Sequence, residues 1–304
     1  MIDPDGAAAA PAAAPAPRRS VAAACRLVLS TPDPAMKVKV ARAAARDWRL
    51  GRLAFDFDAA MPAQPARPDR PVLLAPNRMP RRGKGGTEAN RIALLHALAH
   101  IEFVAIDLAF DLIGRFGQQF PRAFVDDWMA VGADEAMHFT ILDRRLRALG
   151  SHYGAHPAHD GLWEAADATA HDALARLAIV PMVLEARALD ITPQTITRIE
   201  AAGDLASARP LHRILRDEVR HVAVGVRWFS HGCSAGDDSP PETWRRLVAT
   251  YFRGTLKPPF NDSARSAAGL TSEFYAAVAE GYAAGPGKFP SSREGQFSKA
   301  ASVT

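Results

Sequence analysis

The chain has 304 residues, 48% of them hydrophobic and 23% charged, with a net charge of +4 and a pI of about 9.3. That is enough apolar material for a sizeable core in one domain with flanking elements. Two cysteines, Cys25 and Cys233, are too few for a secreted disulfide scaffold. No run reaches the roughly 20 uninterrupted apolar residues needed to span a bilayer, so the expected compartment is the cytoplasm, with no membrane partner.

In chain order, Met1–Pro17 is Ala/Pro-rich, with Asp3 and Asp5 and no basic start. This reads as a disordered tail over residues 1–19 rather than a secretory signal. Residues 20–87 form an N-terminal region. Short helices are predicted at Ser20–Leu29 and Ala35–Leu53, the second carrying Lys37, Lys39, Arg42, Arg46 and Arg49. Prolines 62, 65, 68, 71, 76 and 80 predict an extended arm, followed by a basic loop with Arg78, Arg81, Arg82 and Lys84.

Residues 88–232 read as four helices. Ala89–Phe116 has helical recurrence in Ile92, Leu95, Leu98, Ala99, Ile106, Ala109 and Ile113, closed by Gly114, Gly117 and Pro121. The second runs from Pro121 to Gly150. The third spans about Gly161–Leu189, with Pro181 bending it locally. The fourth spans about Leu205–Phe229. Residues 233–284 form a C-terminal extension with helices after Pro240–Pro241 and near Ser272–Tyr282, and residues 285–304 are a flexible tail.

Two of these helices carry the same five-residue motif: Asp134-Glu135-Ala136-Met137-His138 and Asp217-Glu218-Val219-Arg220-His221. A lone glutamate precedes each, Glu102 before Glu135 and Glu185 before Glu218, by 33 residues in both cases. Positions i and i+3 share a helix face, so each Glu-x-x-His pair projects from one stripe. Around Glu102 and Glu185 the chain reads apolar-Glu-x-x-Ala-apolar-Asp-apolar twice, the mark of a duplication. Four carboxylates embedded in apolar helices require cations or protons, because buried unpaired charge costs several kcal/mol each. Four glutamates and two histidines are the set with which a helical bundle holds two iron or manganese ions.

The pattern resembles the ferritin-like di-iron carboxylate superfamily. The runs Pro157–Ala165 and Leu256–Asn261 further resemble a ferritin-like bacterial family of unknown function. The resemblance implies an all-α, ferritin-like four-helix bundle with extra terminal helices and a proline-rich arm. It also implies Glu102, Glu135, His138, Glu185, Glu218 and His221 as ligands of two irons, with manganese as the alternative metal. Relatives store iron, oxidise ribonucleotide reductase radicals, desaturate acyl chains or hydroxylate substrates, including a modified adenosine in tRNA.

A metal-bound histidine donates its second ring N–H to a carboxylate or carbonyl. Asp134 and Asp217 lie about 100° around their helices from the adjacent glutamates, so Asp134 is expected to support His221, and Asp217 to support His138. The Asp-Glu-x-Arg-His form resembles the motif of oxygen-activating desaturases and hydroxylases, which implies that Arg220 joins this outer layer. Asp107 and Asp190, five residues past their glutamates, read as outer-layer or inter-helix polar contacts.

Other candidates are weighed against blander roles. His96 and His100 could line a pocket entrance, but satisfied core histidines are commoner. His152, His156 and His159 cluster in a loop without a cysteine, and His171 reads as structural. Glu88 and Glu164 suit helix N-termini. The Lys257–Asn261 turn could cover one end of the site or simply pack a terminal segment.

The expected function is a di-iron oxidoreductase activating dioxygen or peroxide, an oxygenase or hydroxylase whose substrate and electron donor leave no motif. The alternatives are a ferroxidase or peroxide-consuming iron protein and a non-enzymatic helical protein with a relic site. No RRM or KH signature is present. Basic stretches at Lys37–Arg52 and Arg78–Lys84 could grip phosphates, which keeps tRNA beside small molecules as a substrate class.

Overall fold

The computed structural model describes residues 19–80, 86–234 and 236–283. The fold is all-α. Its helices are α1 (Val21–Leu29), α2 (Pro34–Arg49), α3 (Glu88–Phe116), α4 (Arg122–Ala148), α5 (Gly161–Ala168), α6 (Ala173–Ile179), α7 (Ala186–Ala201), α8 (Leu205–Cys233), α9 (Pro240–Tyr251), α10 (Asp262–Ala267) and α11 (Ser272–Ala283). A π-helical turn, Val180–Glu185, joins α6 to α7. Among the described residues, β pairing is limited to two isolated bridges, Ser20 with Ala54 and Leu73 with Ala158. The sequence-predicted tails, apart from Arg19, and the Arg81, Arg82 and Lys84 portion of the basic loop lie outside the described residues.

The chain divides into two compact units. The first comprises the described part of Met1–Asp69 together with Ala105–Met137, and the second comprises Arg70–Val104 and the described part of His138–Thr304.

In the first unit, Asp33 caps α2 by accepting from Met36 N at 2.8 Å, and Pro34 at the first helical position needs no donor there. Lys37, Ala41, Ala44 and Trp48 make the buried stripe of α2, at the i, i+4, i+7 and i+11 spacing of one helix face. The arm is extended, with a short 3-10 turn at Pro76–Arg78. Gly114 lies inside α3 rather than ending it, and a Cβ there would fall 2.3 Å from Met61 Sδ. Its role is to admit the arm.

In the second unit, Asp204 caps α8 by accepting from Ser207 N at 3.0 Å. The same carboxylate receives Arg91 of α3 at 3.1 Å and Arg145 of α4 at 2.8 Å, so it ties three helices at one end. Hydrogen bonds from Ser207 and the two guanidinium charges outweigh the opposing effect of burial and hold its carboxyl below the usual range.

The third predicted helix needs revision: α5 stops at Ala168, and Asp172 starts α6 by accepting from Leu174 N and Ala175 N. The buried guanidinium of Arg176 fills that break, donating to Ala166 O and to Thr169 Oγ1. Beyond it, α7 continues to Ala201, past the predicted stop at Leu189. Pro181 produces more than a bend. It lacks an N–H and its ring clashes with the carbonyl four residues back, and the chain absorbs this in the π turn, where Ala186 N donates to Pro181 O.

Among the described residues, one segment, Glu88–Gln119, is long and apolar enough by composition to cross a membrane, and 67% of its most apolar window is buried. It carries the buried polar residues His96, His100, Glu102, Asp107 and Asp111, as a core helix does.

Candidate metal centre

The motifs lie in the interiors of the two long helices α4 and α8. Ligand atoms of Glu135, His138, Glu218 and His221 all lie within 4.8 Å of one another, and all four residues are buried. Glu135 and His138 share one turn of α4, and Glu218 and His221 share one turn of α8, so i, i+3 spacing aims each pair from one stripe. His138 and His221 are fully shielded from solvent, their ring centroids 5.6 Å apart.

His138 shows the arrangement most clearly. Its Nε2 lies 3.0 Å from Asp217 Oδ2, so a ring N–H donates there, and the neutral tautomer of this geometry carries its lone pair on Nδ1. That nitrogen faces Glu102 Oε2 at 3.3 Å and Glu218 Oε1 at 3.8 Å. A lone pair turned toward two carboxylates in a buried site is repulsive unless a proton or cation lies between them. His221 Nδ1 lies 3.5 Å from Glu218 Oε1. The donor set, mixed carboxylate and imidazole, suits iron or manganese.

Glu102 thus touches the cluster through His138 and is itself buried. Glu185 is the last residue of the π turn and is partly exposed. An added residue rotates whatever follows by about 100°, so the Pro181 turn sets the direction in which the chain leaves Glu185. Gly225, four residues beyond His221 on α8, makes room for the bulge: a Cβ there would lie 2.5 Å from Pro181 Cβ.

Around the cluster, Asp217 is also gripped by Arg213, whose Nε donates at 2.6 Å from one turn earlier. Burial alone would raise the Asp217 carboxyl, but the hydrogen bonds from Arg213 and His138 prevail and hold it low. Sequence reasoning passed over Arg213, although its i, i+4 position was the available signal. Arg220 is exposed, and Asp134 is partly buried and lines a cleft formed with α2.

The remaining candidates have other work. His96 Nε2 accepts from Gly154 N at 2.9 Å, and His100 Nδ1 pairs with Tyr153 Oη at 2.9 Å, so both are buried core histidines. His156 packs on His96, and His159 Nδ1 accepts from Gly161 N. His152 is exposed, and His171 meets Tyr251 Oη at 3.0 Å. Glu88 and Glu164 stand in the first turns of α3 and α5. The Lys257–Asn261 turn packs on α7: Arg187 donates to Lys257 O, and Asn261 Nδ2 donates to Leu189 O.

These features define an all-helical protein with a buried glutamate–histidine cluster able to hold metal. Residues 30–276 match the family described as Protein of unknown function (DUF455), and the chain belongs to that family. It is similar to a protein of Haemophilus influenzae described as an uncharacterized protein, at 40% identity over 224 residues, covering 71% of this chain and 77% of that one. No solved structure matches it.

Proposed function

We propose that the chain is a ferritin-like di-metal oxidoreductase of the cytoplasm, acting on dioxygen or peroxide with an organic substrate and an external electron donor. The observation that carries this reading is the convergence of Glu135, His138, Glu218 and His221 in a buried cluster. Glu102 and Glu185 would complete the ligand set for a second ion. Two bound irons, or manganese in their place, would supply the electrons that reduce oxygen.

The protein's own residues prepare that chemistry. Asp217 accepts a hydrogen bond from His138 Nε2–H, which fixes the ring and would leave Nδ1 to ligate a bound ion. Glu135 and Glu218 would supply negative charge to offset bound cations, in a site where burial strengthens every electrostatic contact. Phe103 and Phe139, the residues that follow Glu102 and His138, are buried with their rings 5.4 Å apart and add apolar packing between α3 and α4.

Purified protein from iron-supplemented cells is expected to hold about two irons per chain, lost together in Glu135→Ala and Glu218→Ala. Unchanged iron in both variants refutes the site. Comparing metabolites and tRNA nucleosides between a deletion strain and its parent identifies the substrate. Iron oxidation or peroxide consumption with no altered product favours a ferroxidase or peroxidase instead.

A further inference from the structure

A second candidate site lies wholly within the first unit. The outward face of α2 and one face of α4 border an open cleft of about 1030 Å³. Lys39, Arg42, Arg46, Arg49 and Arg122 line it against two carboxylates, Asp126 and Asp134. The four α2 cations follow i, i+3, i+7 and i+10, which places them on one stripe, opposite the buried stripe of Lys37, Ala41, Ala44 and Trp48.

That stripe is not explained by folding. Like charges three and four residues apart weaken a helix, and the opposite face already supplies the packing of α2. Among the described residues Lys39, Arg42, Arg49 and Arg122 form no ion pair, and Arg46 meets only its half-buried neighbour Asp47, at 3.5 Å, a carboxylate that Arg52 also approaches at 3.3 Å. Of the two carboxylates in the cleft, Asp126 is engaged by the Trp48 indole N–H at 2.7 Å. The Arg122 guanidinium lies over the Trp48 ring, 3.8 Å from its centroid, which helps hold that cation in the lining of the cleft.

We propose that this cleft binds a phosphoryl-bearing ligand, with Arg42, Arg46 and Arg122 as its principal anion contacts. Guanidinium forks match phosphate oxygens in pairs, and the volume accommodates a group of nucleotide size. The phosphates can belong to a free small molecule or to a nucleic-acid backbone. This site stands apart from the metal reading and survives if that reading fails.

The test is titration of the full-length protein with inorganic pyrophosphate and, separately, with a short single-stranded RNA. The proteins compared are wild type, R42E/R46E, and the equally charge-reversed control R209E/R253E. Circular dichroism verifies that each is folded. Wild type binds at least one probe, R42E/R46E binds roughly tenfold or more weakly, and the control is close to wild type. A much tighter RNA complex with a steep salt dependence assigns the phosphates to nucleic acid; comparable binding of both assigns them to a small molecule. Absence of binding to either probe overturns the proposal, as does equal loss in the two variants.

Discussion

Asp107 and Asp190 occupy the same place in the two halves of the repeat, five residues past Glu102 and Glu185, and they are held in different ways. Asp107 is fully buried and receives Lys37 of α2 and Arg67 of the proline-rich arm. The Lys37 ammonium, likewise fully buried, also donates to Val28 O at 3.2 Å. Asp190 receives the bidentate fork of Arg265 of α10 at 2.9 and 2.7 Å, together with the Asn261 backbone N–H at 2.9 Å. That guanidinium lies over the rings of Phe260 and Tyr275. One polar position in a repeated pattern thus docks the N-terminal flank in one unit and the C-terminal flank in the other.

The chemical difference between the clamps is the choice of cation. Burial pushes the Asp107 carboxyl up and the Lys37 ammonium down, each toward its neutral form; their mutual attraction opposes both shifts, and Arg67 opposes that of the acid, without reversing either. An ammonium is compact and strongly hydrated, so full burial costs it more than it costs the delocalised, ring-stacked guanidinium of Arg265.

Breaking the first clamp is expected to have the largest effect. Lys37→Met strands part of the charge of Asp107 and should destabilise by about 3–5 kcal/mol, read by urea unfolding, with loss of exchange protection concentrated in α1 and α2. Adding Asp107→Leu should recover part of that loss, since a buried pair replaced by apolar groups is often neutral, while Arg67 loses the carboxylate it met. A double variant no better than the single would show that the carboxylate is not what penalises it.

Arg265→Met should cost somewhat less, about 2–4 kcal/mol, with protection lost in α10; Arg265→Lys should remain well below wild type because one ammonium cannot reproduce the fork. Equal stability of the Lys variant and wild type would remove the distinction between the two clamps. A smaller effect is expected from Gly225→Ala, about 1–3 kcal/mol, since its Cβ overlaps Pro181. Iron content should fall with it if the bulge positions Glu185.

The smallest effect is set by pH. Asp204 has a depressed folded-state pKa, so its stabilisation is complete above the ordinary carboxylate range, near 3.9, and is lost as pH falls through the lower folded value. Asp204→Asn should therefore flatten acid unfolding below about pH 4, and an unaltered acid limb would show that the three-helix tie is not acid-sensitive.

Much of this was legible in the residues alone. The equal 33-residue intervals and the two Glu-x-x-His motifs specified which helices should meet, and four of the six expected ligands converge on α4 and α8. Proline at 181 announced an irregular helix, but not that it would become a π turn, because that outcome depends on space left by Gly225, 44 residues away in the chain. The break before α6 was hidden because apolar recurrence passes through it, and the buried Arg176 that fills it reads in sequence as an ordinary surface cation.

What the sequence by itself determined is therefore the helical class, the stripes and the pairs of donors on each stripe. These follow from a rotation of about 100° per residue, a rule that needs no distant neighbour. Only the tertiary structure decided that Lys37 and Arg265 answer Asp107 and Asp190 across 70 and 75 residues, that Arg213 grips Asp217, and that the cations of α2 border a cleft. Charge types select permissible partners, but which ones meet is fixed by packing, since an ion buried in a core is tolerated only where folding has brought its counter-ion.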